Sequence, residues 1–431
     1  MPTLAVSNRA QLAYKLEGVY PTNFGVAQAA PGVALNMLSE SLDANIKNEQ
    51  SKQIRSDRQV PDLVQVDLNV QGGFGFESQF KEYDPFIEGA TQGTWNYFGT
   101  LGLSTAYVPT VGIVTAASVS TLTASATTAT VAADSWATLV KGQWFTIIPA
   151  ATESAAVQAY FTGRPLRVTL SGAAPSATVL VLDASTPIDT TKVAALQTGW
   201  RLSSASVNNG TVATPGVMKS YTFEVQHVDN LMYRQYLGCI TSKMAVKLSV
   251  GAIVTGSFDF IGKSFALGST ALYPTASLVA SQVYTPANAT KGVFDMYEGG
   301  SVVSAITYVK SADIMIDNKL RPQEAVAVFG CAGIAAGTQE VTAKLEIYFA
   351  ERSLYDKFIS GAASSLSIPI LDINGNGYIY HFPKIKYTAV KVATGGLDQD
   401  LMLSADIQAL PDLTPGSVTY GKTVIIYRVG V

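Results

Sequence analysis

The sequence predicts a mainly β protein with two similar β units in tandem, each carrying one short helix, and a smaller β unit inserted into the first. Three observations predict this fold. Apolar and polar residues alternate in several runs, as at 64–76 and 340–349, and such alternation is typical of strands with one buried face. An eight-residue sequence occurs twice, at 83–90 and 355–362. Segment 113–215 differs in composition from the rest, because Ala, Thr, Ser and Val dominate it.

The repeated sequence predicts a helix in each unit. It reads Tyr-Asp-Pro-Phe-Ile-Glu-Gly-Ala from Tyr83 and Tyr-Asp-Lys-Phe-Ile-Ser-Gly-Ala from Tyr355, so six of eight positions are identical at an offset of 272. Tyr, Phe and Ile share one face and Gly follows them, which predicts a short helix that ends at the glycine.

A second pair of matching sequences follows in the same order along the chain. Ala-Val-Lys occurs at 245–247 and 389–391, and each copy precedes a strand with a Ser-x-Asp-apolar sequence, at 257–260 and 404–407. Because two matches in one order are much less probable by chance than one, we interpret the chain as an internal duplication.

The order of these segments predicts the domain boundaries. Leu12, Tyr14 and Leu16 suggest one strand, and the residues after it are rich in Pro and Gly and look like an extended arm. We expect a first β unit at 1–112 and 216–268 that includes the arm, an inserted small β unit at 113–215, a linker at 269–290 and a second β unit at 291–431.

Composition limits the function. The chain has 431 residues, of which 48% are hydrophobic and 14% are charged, against about 25% charged in an average soluble protein. Low surface charge favours association. A net charge of −3 argues against tight nucleic-acid binding, although nucleic acid could slide through a passage without sticking. The sequence contains neither a secretory signal pattern nor about 18 consecutive apolar residues, so no membrane interaction is expected.

The sequence predicts no catalytic, cofactor-binding or metal site, and hence no enzyme. His227 and His381 occupy unlike places relative to the repeat and lack a metal-ligand spacing, so we expect them at a strand surface or an interface. Cys239 and Cys331 lie in apolar, strand-like context and are expected to be small core residues.

One motif resembles a calcium site at first reading. Asp372, Asn374, Asn376 and Gly377 match the start of an EF-hand loop, but the position that needs a bidentate Glu is Pro383. Asn and Gly tolerate positive φ, so a hairpin turn is the favoured interpretation and a calcium loop is the alternative.

The ordered set of motifs resembles the tail tube proteins of long-tailed, siphovirus-like bacteriophages. The resemblance is clearest at 50–110 and 216–265 and reaches the second unit through the repeat. It is carried by Ser51–Gln59 before a strand, Gly-x-Phe-x-Phe-Glu at 72–77 leading into the helix at 83–90, Ser-Tyr-Thr-Phe-Glu at 220–224, Gly-Cys-Ile-Thr-Ser-Lys-Met at 238–244, and the run 251–263.

This resemblance implies a structural role in the virion tail. Tail tube proteins form stacked rings of pseudo-sixfold symmetry, whose strands join into one barrel around a channel for viral DNA. Because the unit is duplicated here, three chains would supply six copies, so a trimeric ring is favoured and a hexameric ring is the alternative. The tape measure and tail terminator proteins are implied as partners, with double-stranded DNA passing through the lumen without specific binding and assembly in the host cytoplasm.

Placement within such a tube follows from the same resemblance. We expect the hairpins 240–261 and 385–407 to line the channel, the segments 17–50 and 263–300 to bridge rings, and the inserted unit to lie outside. Two other functions remain open. One is another ring-forming tail or baseplate protein of the same fold, and the other is an unrelated β-rich carbohydrate-binding adhesion protein.

Overall fold

A computed structural model of the chain describes residues 10–18, 20, 31–54, 56–57, 59–97, 112–114, 123–125, 143–149, 154–161, 165–168, 179–183, 195–196, 201–203, 205–211, 215–290, 296–303, 308–349, 352–393, 399–414, 417 and 419–430. Strands dominate these residues, which confirms the mainly β prediction. The helices among them are α1 (Asp84–Thr91), α2 (Ala155–Phe161) and α3 (Ser353–Ser360), with 3-10 turns at Val228–Asn230 and Thr275–Ser277.

The strands are numbered in chain order. Up to the end of the inserted segment they are β1 (Ala10–Leu16), β2 (Val33–Leu35), β3 (Ser39–Glu40), β4 (Asp43–Gln50), β5 (Leu63–Glu77), β6 (Asn96–Tyr97), β7 (Gly112–Val114), β8 (Thr123–Ser125), β9 (Trp144–Ile148), β10 (Pro165–Val168), β11 (Val179–Asp183), β12 (Ala195–Leu196), β13 (Arg201–Ser203) and β14 (Ala205–Asn208). The remainder are β15 (Ser220–His227), β16 (Met232–Ser249), β17 (Thr255–Gly262), β18 (Ser264–Gly268), β19 (Tyr297–Glu298), β20 (Ser301–Val302), β21 (Val309–Asp317), β22 (Arg321–Glu324), β23 (Cys331–Ala335), β24 (Glu340–Tyr348), β25 (Ser364–Leu371), β26 (Gly377–Ala393), β27 (Met402–Leu410) and β28 (Ile425–Val429).

Eight of these strands form a continuous antiparallel sheet, here called the central sheet. Its strands lie in the order β4, β5, β17, β16, β21, β24, β27 and β26. The first four come from residues 43–262 and the last four from 309–410. The sheet therefore consists of two four-stranded sets joined edge to edge between β16 and β21.

The long strand β16 makes this junction possible. Its first half pairs with β15, and further along the same strand residues 243–249 pair with β21. Strands β18 and β17 follow each other along its other edge. In the second set, β26 is used in the same way, since its first half pairs with β25 and β28 and its second half with β27.

Alternation in the central sheet separates a buried face from a polar one. In β5, Phe74 and Phe76 are buried, and Phe258 and Phe260 of the neighbouring β17 join them. Helix α1 covers this face, with the Phe86 ring centroid 5.1 Å from that of Phe74 in an edge-to-face arrangement. Large aromatic side chains contribute most to such a core because each removes a large apolar area from water.

The inserted segment forms a sheet of its own except for its last strand, β14, which pairs with β6 and β28. Strands β7 to β13 make a separate seven-stranded sheet, although many residues of the predicted unit 113–215 lie outside the described residues. Trp144 of β9 is buried against Tyr297 of β19, with their rings edge to face at 5.1 Å, in a cluster that also contains Ile379, Ile425 and Tyr427. The insert thus contacts β28 and the start of β26, where residues 377–381 pair with β25 and β28 rather than with β27.

Three local expectations need correction. Residues 33–50 were expected to be an arm without a core of its own, but β2 pairs with β1 while β3 and β4 pair with β5. Helix α1 does not end at Gly89; it continues to Thr91, and Gln92 takes the left-handed conformation at φ 55°, whereas α3 ends at Gly361 as predicted, at φ 63°. Segment 269–290 is not a loose linker throughout, because Tyr273 is fully buried.

Candidate assembly interface

The polar face of the central sheet carries acidic and basic side chains in neighbouring positions. Lys243 of β16 lies between Asp259 of β17 and Asp317 of β21, and Lys344 of β24 lies between Asp313 and Asp406. The acidic residues on this face are Asp43, Asp67, Glu77, Asp259, Asp313, Asp317, Glu340, Glu346 and Asp406, and the basic ones are Lys47, Lys243, Lys247, Lys344, Lys384, Lys386 and Lys391. Because the two signs are interleaved, this face is not a continuous basic track for phosphates.

The junction between β16 and β21 is stabilised by ion pairs as well as backbone pairing. Asp317 is buried and receives Lys243 at 3.5 Å and Lys319 at 3.3 Å. Burial alone would raise the pKa of Asp317, but the Lys319 backbone N–H and the two ammonium groups lower it. Lys247 faces Asp313 four residues further along β16. Charge pairs on both sides of the junction fix its register, since a slip of two residues would separate them.

Helix α1 spans the same junction. It packs on β16 and reaches β21, and its last turn is held from the second set: the Ala90 carbonyl accepts hydrogen bonds from Asn318 Nδ2 (3.0 Å) and Gln339 Nε2 (3.1 Å). Asn318 Nδ2 also donates to the Thr241 carbonyl at 3.1 Å. Free carbonyls at a helix C-terminus need such partners when they are buried.

A buried ion pair links the start of this helix to β28, which pairs with β26 of the second set. The Asp84 carboxylate contacts the Arg428 guanidinium of β28, and Tyr378 Oη of β26 donates to Asp84 Oδ1 at 2.7 Å. The Arg428 guanidinium also lies 5.2 Å from the Trp95 ring centroid. Burial raises the pKa of Asp84, and the Arg428 charge opposes this rise. Sequence reasoning missed this pair, because Asp84 and Arg428 are 344 residues apart.

The two outer strands of the central sheet each have an open edge. Strand β4 pairs with β5 on one side, and residues 389–393 of β26 pair with β27 on one side. Among the described residues no strand pairs with the other side of either segment. Unpaired backbone N–H and C=O groups in such a row are a template for another strand.

Apolar side chains near these edges are less buried than those at the internal junction. Val390, Val392 and Ala44 are half-buried, whereas Met244 and Ile316 at the β16–β21 junction are fully buried. Helix α3 shows the same contrast. Ile359 is 68% exposed, while Ile87, its counterpart in the repeated sequence, is 2% exposed.

The first strands of the arm are fastened by groups that the sequence did not single out. Arg234 of β16 binds Glu40 of β3 at 2.7 Å, and Tyr236 Oη donates to the Leu42 carbonyl at 2.8 Å.

Gly73 allows β5 to approach β17 closely, because a Cβ there would lie 1.8 Å from the carbonyl oxygen of Phe258. Only the conspicuous glycines at 72–75 hinted at this close approach.

The cysteines and histidines considered in the sequence analysis lie in separate places in the structure. Cys239 and Cys331 are buried, as predicted, with free thiols. His381 is buried rather than on a strand surface, with Nδ1 2.8 Å from Ser367 Oγ. His227 is half-buried at the end of β15. These four residues do not come together into one site.

The EF-hand-like sequence forms a tight turn. Asp372 Oδ1 accepts the backbone N–H groups of Asn374 and Asn376, both at 2.8 Å, between β25 and β26. This is the local hydrogen bonding by which an Asp side chain stabilises a turn. Among the described residues, no group of three or more His, Cys, Asp or Glu is arranged to hold a metal ion.

Comparison with known proteins identifies the family. A family model described as phage tail tube protein matches residues 7–409. The chain belongs to the phage tail tube protein family. This tail tube protein is therefore a structural component of the virion, located in the phage tail. No curated protein matches the chain, and no helix of the described part of this tail tube protein is long and apolar enough to cross a membrane.

Proposed function

We propose that this protein is the major subunit of the tail tube, and that it polymerises as stacked rings around a channel through which viral DNA passes. The observation that carries the proposal is the central sheet, in which two four-stranded sets are already joined edge to edge while both outer edges stay open. A second chain can extend the sheet at either end by repeating the same kind of junction. Because the two open edges are different, the contact is head to tail, and such contacts close into rings when the rotation allows.

Three chains per ring is the favoured stoichiometry, with six as the alternative. Eight strands per chain, spaced about 4.8 Å apart, give a three-chain barrel a circumference of about 115 Å and a diameter of about 37 Å before strand tilt widens it. Such a barrel is open inside, since barrels of about 16 strands already leave an aqueous channel. Three chains also supply the six tube units that the family resemblance implies.

The polar face is the proposed channel lining, since the opposite face of the sheet is filled by core side chains. This assignment includes the hairpins 240–261 and 385–407. Interleaved acids and bases, such as Asp259, Lys243 and Asp317, offer no excess of cations to bind the phosphates, so double-stranded DNA passes without specific binding. The ends of the tube meet other tail proteins, such as the tape measure and the tail terminator.

We also propose the following domain organisation. The tube units comprise 1–112 with 216–268, and 291–431, with the insert at 113–215 outside the barrel. Support comes from the separate sheet of β7 to β13 and from its packing on β28 rather than on the polar face.

Imaging of the purified protein tests the proposal. Mass photometry at rising concentration is expected to show the 45.5 kDa chain converting to three-chain particles, and negative-stain electron microscopy is expected to show hollow tubes built from them. Discrete single rings would favour another ring-forming tail or baseplate protein. A chain that stays monomeric at all concentrations, with or without glycan binding, would refute the tube.

A further inference from the structure

We propose that residues 389–393 of β26 dock against residues 43–45 of a second copy of this chain, in the register of the internal β16–β21 junction, with Lys391 opposite Asp43. This inference rests on the proposed ring. It goes further by naming the residues that meet.

A bulge aligns β26 with β16. In β16 the pairing with β17 skips Ser242, and in β26 the pairing with β27 skips Thr388. The facing strands agree with this alignment, because Asp259 faces the residue just after the first bulge and Asp406 faces the residue just after the second. Val390 therefore corresponds to Met244 and Lys391 to Ala245, so the Ala-Val-Lys match in the sequence is offset by two residues from the structural one.

The partner edge is aligned through β5 and β24. Gly75 of β5 faces Ser257, and Glu346 of β24 faces Ser404, so Gly75 and Glu346 are equivalent. On their other sides Gly75 faces Ser39 and Glu346 faces Ser311. Counting along the strands from these two serines, Asp43 corresponds to Met315, Ala44 to Ile316 and Asn45 to Asp317.

The internal junction then supplies the register between chains. Within the chain Met244 faces Ile316 and Ala245 faces Met315. The equivalent contacts place Val390 opposite Ala44 of the next chain and Lys391 opposite its Asp43. Both apolar residues of the first pair are half-buried in the single chain, and their counterparts Met244 and Ile316 are fully buried. In the proposed contact, the docked chain covers the part of Val390 and Ala44 that is exposed in the single chain.

The positions of the charged residues differ between the proposed contact between chains and the junction within a chain. The internal junction has Lys243 opposite Asp317 and Lys247 opposite Asp313, with uncharged Ala245 and Met315 between them. Between chains the outer positions are uncharged, at Ala389 with Asn45 and Ala393 with Ser41, and the charges sit at the centre. A slip of two residues would move Lys391 away from Asp43, so this one pair selects the register.

Charge reversal tests the proposal in the full-length chain. Lys391→Asp alone and Asp43→Lys alone are each expected to raise the concentration for half-maximal ring formation by about tenfold, because like charges then oppose each other at every junction. Combining the two is expected to return it to within about threefold of wild type. Lys386→Asp is the matched control, because Lys386 lies on the same strand opposite the uncharged Gln408, and it is expected to assemble as wild type does.

Cysteine cross-linking provides a second measurement for variants that assemble poorly. Mild oxidation of the Lys391→Cys, Asp43→Cys double variant is expected to link chains covalently, whereas Lys391→Cys with Ser41→Cys is expected not to. The native Cys239 and Cys331 are buried and contribute no link. Rings that form normally in both single reversals, or that cross-link equally in both cysteine pairs, would overturn the register while leaving the ring intact. A wild-type chain that never forms rings would overturn both proposals.

Discussion

Substitution of Asp84 by Asn tests how strongly one buried ion pair holds the two halves of the chain together. In the native protein Asp84 neutralises Arg428, and both side chains are buried. Asn keeps an oxygen that can accept the Tyr378 hydroxyl, but it removes the carboxylate charge that contacts the guanidinium. The repeated sequence offers a matched control, because Asp356 occupies the same place in it, is 53% exposed and pairs with Arg352 at the N-terminus of its own helix.

The expected loss follows from the burial of Arg428. Breaking a buried pair by removing one partner costs about 3–5 kcal/mol. The Trp95 ring beside the guanidinium offsets about 0.5–1 kcal/mol of this. We therefore expect Asp84→Asn to lower the free energy of unfolding by about 3 kcal/mol, and Asp356→Asn to have no measurable effect.

Urea unfolding of the dispersed chain, followed by intrinsic tryptophan fluorescence, measures both variants. A third variant, Asp84→Leu with Arg428→Met, removes both charges and is expected to recover most of the loss, because apolar replacements of similar size avoid the desolvation cost. A change below about 1 kcal/mol for Asp84→Asn, or an equal change for Asp356→Asn, would refute the reasoning.

Three further predictions concern other parts of the fold. Burial raises the pKa of Glu82 to about 7, and the Asn36 N–H donates a hydrogen bond to its carboxyl group. Protonated Glu82 therefore stabilises the folded chain fully below the pKa of Glu in the unfolded chain, and this contribution is lost as pH rises through 7. In thermal unfolding, Glu82→Gln should be about 1–3 kcal/mol more stable than wild type at pH 8 and equal to it at pH 4. Ile359→Asp should weaken ring formation in mass photometry while leaving the stability of the single chain unchanged, because this side chain is 68% exposed; Ile87→Asp, at the buried counterpart, should unfold the chain. Gly73→Ala should cost about 3 kcal/mol in urea unfolding, because the new Cβ would meet a carbonyl oxygen of β17 at 1.8 Å.

Each of these has an outcome that contradicts it. A Glu82→Gln variant whose advantage grows as pH falls would reverse the assigned sign. Normal rings from Ile359→Asp would mean that α3 lies away from the contact between chains. The control for Gly73 is Gly18→Ala, since a Cβ at Gly18 meets nothing within 4 Å; equal losses at both glycines would rule out the backbone clash as the cause.

The sequence indicated the individual strands better than their partners. Alternation found β24, which buries every second residue, and β5, which buries Leu68, Val70, Phe74 and Phe76 but leaves Val64 and Val66 exposed. The repeated Tyr-Asp sequence found α1 and α3. It did not find β4, since most of Asp43–Gln50 is exposed and an edge strand with little burial shows little apolar pattern. Segment 17–50 was therefore expected to bridge rings, whereas its strands β2, β3 and β4 pair with β1 and β5 of the same chain.

The strand that each strand pairs with could not be predicted from the sequence, for a physical reason. Residues 236–242 of β16 are continuously buried and its second half alternates, but neither pattern says that its edge passes from β15 to β21 after Ile240. The same limit applies to Asp84 and Asp356, which have nearly identical sequence neighbours and opposite environments. Arg428 and Tyr378, both distant in the sequence, distinguish Asp84 from Asp356 because they contact the Asp84 carboxylate.

The unlike edges of the central sheet also bear on what a defective chain does. A molecule that folds with its β4 side intact but lacks a usable β26 side can still be accepted by one neighbour, and it then has nothing to offer the other. Small amounts of such a chain should therefore inhibit ring formation by more than their share of the mixture, as a chain-terminating monomer stops the growth of a polymer.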